Sequence, residues 1–180
     1  MHTFFFKKYF FVNTFDVNLI KCQDKNTLII YRNYNKKNYL NEIIQLKNFC
    51  RKYKFKLILA NNIKLAFKLG LDGAYLPSFN KSFAHLSYTL KKDFILIGSA
   101  HNLKEIKIKE KQKVNKIFLS SIFKKNKNYL GLNKFKTYIR NYNREFVALG
   151  GINKNNLKKL KLLNVREFAG ISFFTKKKAP

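Results

Sequence analysis

A chain of 180 residues with 46% hydrophobic residues has the apolar content to bury a proper core as one domain. Its 38 Lys and Arg against 9 Asp and Glu give a formal charge of +29, spread along the whole length among Asn, Phe, Ile and Tyr, which argues for a basic surface attractive to anions and against a specific nucleic-acid reader. Lys7 and Lys8 cut the aromatic run "MHTFFFKKYFFV" short of a signal core or membrane span, and Cys22 and Cys50 form no metal or disulfide motif, so a cytoplasmic protein with reduced thiols and no membrane partner is expected.

From the amino end, "KYFFVN" (8–13) and "TLIIYR" (27–32) read as strands. "NYLNEIIQLKNFCRKY" (38–53) then sets Leu40, Ile43, Ile44 and Leu46 on a helical stripe. "FKLILA" (55–60) is a strand, and "NNIKLAFKLG" (61–70) a helix that groups Ile63, Ala66 and Phe67 before Gly70 closes it. "GAYL" (73–76) and "FILIG" (94–98) are strands, followed by a helix in "NLKEIKIKEKQ" (102–112). "KIFLSS" (116–121) leads to the helical "LNKFKTYIRNY" (132–142). "FVALG" (146–150) leads to "NKNNLKKLKLLN" (153–164), predicted to open a helix at Asn153, and "EFAGIS" (167–172) is the last strand. After "AGISFF" only "TKKKAP" remains.

Short, unalternating apolar runs are what strands covered on both faces look like, and their alternation with helices means a parallel sheet. The eight runs predict a compact α/β fold, a (β/α)8 TIM barrel over one domain, residues 1–180, with a truncated or missing last helix. A flank left uncovered in this way is compatible with a homodimer.

In such a barrel the site lies where strands end, which singles out Asp16, Arg32, Asn61, Asn62, Pro77 to Asn80, Ser99, His101, Ser120, Ser121, Lys124 to Lys127, Gly150, Gly151 and Ser172. Asp72, Asp93, Glu145 and Glu167 precede strands and belong to the opposite, stabilising end. Glu42, Glu105 and Glu110 fall on helices. Only Asp16 follows a strand, so the carboxylates that Mg²⁺ or an acid/base pair needs are not supplied. Gly150 and Gly151 either make a tight turn or, with Gly170, Ile171 and Ser172 of "AGIS", cradle a phosphate through backbone N–H groups, the Ser172 hydroxyl and the dipole of the following helix. His101 either moves protons near neutral pH or caps the next helix.

The segments "LILANNIKLAFKLGLDGAYL", "LIGSAHNLKEI", "KIFLSSIF" and "VALGGINKNNLKKL…FAGIS" resemble the thiamine-phosphate synthase and TenI (thiazole tautomerase) superfamily, over about residues 9–174. The resemblance implies a thiazole-phosphate site at Gly151, Ile171 and Ser172 and a diphosphate grip at Arg32, Ser99 and Lys127. The family's two metal-binding Asp positions are Asn61 and Asn80, so no metal site is convincing; Mg²⁺ is the implied cofactor only if the synthase reaction is retained. Three readings follow: a divergent synthase-like protein that binds a thiazole phosphate or related small phosphate, a metal-independent tautomerase using His101, and a catalytically silent phosphate-binding or regulatory barrel.

Overall fold

The computed structural model describes residues 5–175. Its strands are β1 (Lys7–Val12), β2 (Thr27–Tyr31), β3 (Leu57–Ala60), β4 (Gly73–Leu76), β5 (Ile95–Ala100), β6 (Lys116–Ser120), β7 (Glu145–Leu149) and β8 (Glu167–Gly170). All pair in parallel with their sequence neighbours, and β8 pairs with β1, so the sheet closes as a (β/α)8 barrel. Successive residues of a strand point to opposite faces, which explains the unbroken apolar runs. Phe11, Ile30, Tyr75, Ile97 and Phe118 fill the interior, while Phe10, Ile29, Ala74, Leu96 and Ile117 pack in the outer core. Burying each large interior side chain contributes about 2 kcal/mol.

The helices are α1 (Val17–Lys21), α2 (Leu40–Tyr53), α3 (Ile63–Lys68), α4 (Leu103–Lys111), α5 (Gly131–Arg140), α6 (Leu157–Leu162) and α7 (Ser172–Thr175), with a 3-10 turn at Ala84–Ser87 between β4 and β5. Asp16, Asn62 and Asn102 cap α1, α3 and α4 by accepting from the N–H three residues on. Helix α2 buries Ile43, Leu46 and Cys50, leaving Leu40 and Ile44 exposed, and α3 buries Ile63 and Ala66 but not Phe67. The buried stripes are thus narrower than expected.

Helix α6 opens at Leu157, not Asn153. The Asn side chains compete with the helix here: Asn153 Oδ1 accepts from the N–H groups of Asn155 and Asn156, and Asn156 Oδ1 accepts from Asn153 N–H. Beyond β8, α7 is one turn whose Phe173 and Phe174 pack on Phe168. The rest of "TKKKAP", residues 176–180, lies outside the described residues, as do residues 1–4. No described helix is long and apolar enough to cross a membrane.

At the amino end of the barrel the acidic residues serve the scaffold. Asp72 accepts from Leu57 N–H, and Lys116 lies 2.5 Å from both Glu145 and Glu167. Burial works against the Lys116 ammonium, but its bonds to both carboxylates outweigh this and hold its pKa above the ordinary lysine value. Tyr9 donates to Glu167 across 2.7 Å from inside the barrel.

Candidate active site

The mouth at the strands' carboxyl ends has an aromatic floor, in which Phe11, Tyr75 and Phe118 meet pairwise at 5.3 to 5.9 Å. The Arg32 guanidinium lies 4.5 Å over the Phe11 ring. That contact holds a cation at the mouth without a carboxylate partner. Ser99 is buried and bonds to the Tyr75 side chain; burial raises the Tyr75 pKa, against the effects of Ser99 and Arg32. Arg32 and Ser99 therefore share one floor. Lys127 is exposed in the loop after β6 and makes no side-chain hydrogen bond or ion pair among the described residues.

The two amides at the family's metal positions are occupied with one another. Asn80 Nδ2 donates to Asn61 Oδ1 across 2.7 Å, and Asn80 Oδ1 accepts from Ser82 N–H. Both side-chain oxygens already accept from protein donors, and neither carries charge. Among the described residues no group of three or more His, Cys, Asp or Glu could hold a metal. These residues do not fit Mg²⁺.

The carboxylates near this end are also engaged. Asp16 accepts from Leu19 N–H as the α1 cap. Glu42 and Glu105, assigned from sequence simply to helices, stand in the first turns of α2 and α4 and hence beside the strand ends. Glu42 accepts from Phe15 N–H, the Tyr31 hydroxyl and Lys36, bonds that outweigh burial and hold its pKa below the ordinary value. Glu105 accepts from His101 N–H and from Asn102.

Sequence reasoning missed Lys109. Its fully buried ammonium donates to Pro77 O, Asn80 O and Gln112 Oε1 at 2.8 to 2.9 Å. Gln112 in turn donates to Asn80 O and Ser82 O. One lysine thereby ties the β4 loop, including Asn80, to α4. Burial lowers its pKa to about 8, against the pull of Glu105. A visible signal was Gly98: a Cβ there would stand 2.7 Å from Lys109 Cδ, so the glycine makes room for the lysine stem.

His101 follows β5 and is half-buried. Its Nδ1 lies 3.1 Å from Ser120 O and 2.9 Å from Ser120 Oγ. A carbonyl only accepts, so in the tautomer that bonds Ser120 O the proton lies on Nδ1 and Nε2 is the free nitrogen. Glu105 orients the backbone of this loop, not the imidazole.

At the last two strands, the glycines have a firm scaffold role. Gly150 and Gly151 have φ of +102° and +76°, and a Cβ would stand 2.3 Å from Ser121 Oγ at the first and 2.6 Å from Lys124 N at the second. Phe123 and Lys124 N–H donate to Gly150 O, so the close approach the glycines permit is to the β6 loop. Beside this seam lies a pocket of about 540 Å³, lined by Gly151, Ile152, Asn153, Lys154, Ser172 and Phe173 among others. The N–H groups of Gly151, Lys154 and Ser172 have no acceptor among the described residues. Gly170 pairs with Phe10 at the end of β8, and Ile171 is exposed. Gly151 and Ser172 thus meet at one pocket, whereas Gly150 belongs to the seam.

A family model described as thiamine monophosphate synthase matches residues 15–174. The thiamine-phosphate synthase of Prochlorococcus marinus subsp. pastoris is 30% identical over 146 residues, which are 79% of this chain and 42% of that protein. The thiamine-phosphate synthase of Persephonella marina is 29% identical over 152 residues, 81% of this chain and 73% of that protein. The chain thus spans about two-fifths of the Prochlorococcus proteins it matches. Among solved structures, thiamine phosphate pyrophosphorylase from Pyrococcus furiosus shares the fold with a TM-score of 0.74, covering 93% of this chain and 86% of that one at 19% identity. A match running from Phe15 to Phe174, through nearly every strand of the barrel, shows that the chain belongs to the thiamine monophosphate synthase (TMP-TENI) family.

Proposed function

We propose that this chain is a divergent, cytoplasmic member of its family that binds a thiazole phosphate, or a related small phosphate, between the β7 and β8 loops. The observation that carries the reading is the pocket shared by Gly151, Lys154 and Ser172. Open N–H groups, a hydroxyl and an ammonium suit a phosphate, and Phe173 offers an aromatic wall to a heterocycle. Condensation with an aminopyrimidine diphosphate would further require Mg²⁺, which the Asn61 and Asn80 pair does not fit, so no step is routed through a metal.

A second reading, metal-independent tautomerisation, is favoured by His101. With Nδ1 held by Ser120, Nε2 would accept a proton from one carbon of the ring and return it to another, with no net loss of a group. Both readings are tested together by supplying thiazole phosphate with aminopyrimidine diphosphate, and separately a thiazole carboxylate phosphate, in Mg²⁺ or in EDTA. Isomerisation in EDTA that disappears in His101→Ala supports the tautomerase. Mg²⁺-dependent thiamin phosphate formation overturns the metal-free account, and binding without turnover leaves a silent phosphate-binding barrel.

A further inference from the structure

Where β1, β2 and β3 begin, at the end of the barrel opposite the mouth, a cavity of about 380 Å³ is lined by Lys7, Lys25, Lys54 and Lys56, with Phe6 and Leu28 as apolar wall. Among the described residues no carboxylate lines it, and none of these four lysines makes an ion pair. Two other cations at this end have carboxylate partners. Lys116 bridges Glu145 and Glu167, and Lys8 meets Asp24. The pKa of Lys7 is lowered by burial first and then by Lys116; Glu167 opposes this, and the smaller effects of Lys56 and Glu145 lower and raise it in turn.

A second observation is independent of charge. Thr27, also in the cavity lining, is buried, and its hydroxyl is the one buried side-chain polar atom without a hydrogen-bond partner among the described residues. Leaving such a group unsatisfied is destabilising. The hydroxyl has no accessible surface and lies beneath the lining, so an anion seated on the lysines relieves the charge deficit alone.

We propose that this cavity is a second binding site, for a small soluble organic anion with a phosphate or carboxylate head and an apolar body. The lysines take the head, and Phe6 and Leu28 take the body. The site lies at the far end of the strands from the mouth and does not depend on the function proposed there.

A basic protein attracts anions everywhere, so the test must separate position from charge. The probe is 1-naphthyl phosphate, titrated at about 0.15 M salt to screen diffuse attraction. Lys25→Glu/Lys56→Glu is compared with Lys104→Glu/Lys107→Glu, an equal charge change on exposed positions of α4. Saturable binding should weaken about tenfold in the first and less than about twofold in the second. Thr27→Val, which removes the unpartnered hydroxyl beneath the lining without changing side-chain shape, should raise the Tm of the free protein and leave probe binding within about twofold. Equal weakening in the two double variants, absence of saturation, or binding to phosphatidylglycerol vesicles without binding of the soluble probe would each overturn the proposal.

Discussion

Two corners of the same mouth have opposite chemistry. Around β3 and β4, Asn61 and Asn80 are bound to each other, and Lys109 and Gln112 hold the loop behind them. Around β7 and β8, backbone donors and the Ser172 hydroxyl border a pocket large enough for a small ligand. A polar group already satisfied inside the protein must break that bond before it can bind anything else, whereas an open donor need only shed water. The comparison sets open donors at the β7–β8 corner against satisfied polar groups at the β3–β4 corner.

The largest expected effect would break the rigid seam that supports the open corner. Gly151→Ala should destabilise by about 2–4 kcal/mol, because it combines a left-handed backbone with overpacking against Lys124, and denaturant unfolding reads this directly. For that reason it cannot serve as a clean binding variant. Lys109→Met should lose about 3 kcal/mol by leaving three acceptors without their donor. Its pH dependence sharpens the assignment. With the folded pKa lowered to about 8, the unfolded chain binds more protons between that value and the ordinary lysine value. This contribution therefore makes the wild type more stable as pH rises through that window, by up to about 1 kcal/mol per pH unit, and the deficit of Lys109→Met should widen correspondingly.

Smaller effects distinguish the two amides. Asp at position 61 can still accept from Asn80, so Asn61→Asp should change stability by less than about 0.5 kcal/mol. Asn80→Asp removes the donor and sets two oxygens against each other, which should cost about 1–2 kcal/mol. Equal effects in thermal unfolding would argue against the bond between them. The smallest change, Ser172→Ala, should leave stability within about 0.5 kcal/mol and act on ligand binding alone.

The barrel was legible in the sequence because burial on both faces leaves continuous apolar runs such as "TLIIY" and "KIFLS", which mark strands without ambiguity when helices alternate with them. That amides stand where the resemblance implies metal-binding Asp was legible as residue types, but the bond between Asn61 and Asn80 depends on how the β3 and β4 loops meet. Lys109 was hidden in "KIKEKQK", where one buried lysine looks like its solvated neighbours. Only the glycine at 98, opposite its stem, records the difference. The α6 start was misplaced because the Asn residues of "NKNN" bond to local backbone and delay the helix until Leu157. Glu42 and Glu105 were set aside as helical, although the first turn of a helix in this fold lies beside the strand ends.

The most direct test of the account is calorimetric titration of thiazole phosphate into the wild type and Ser172→Ala, each in Mg²⁺ and in EDTA. The account predicts a saturable binding component, indifferent to the metal, that weakens about fivefold in Ser172→Ala, the loss of roughly 1 kcal/mol for one hydrogen bond. Binding that requires Mg²⁺, or that Ser172→Ala leaves unchanged, would contradict it.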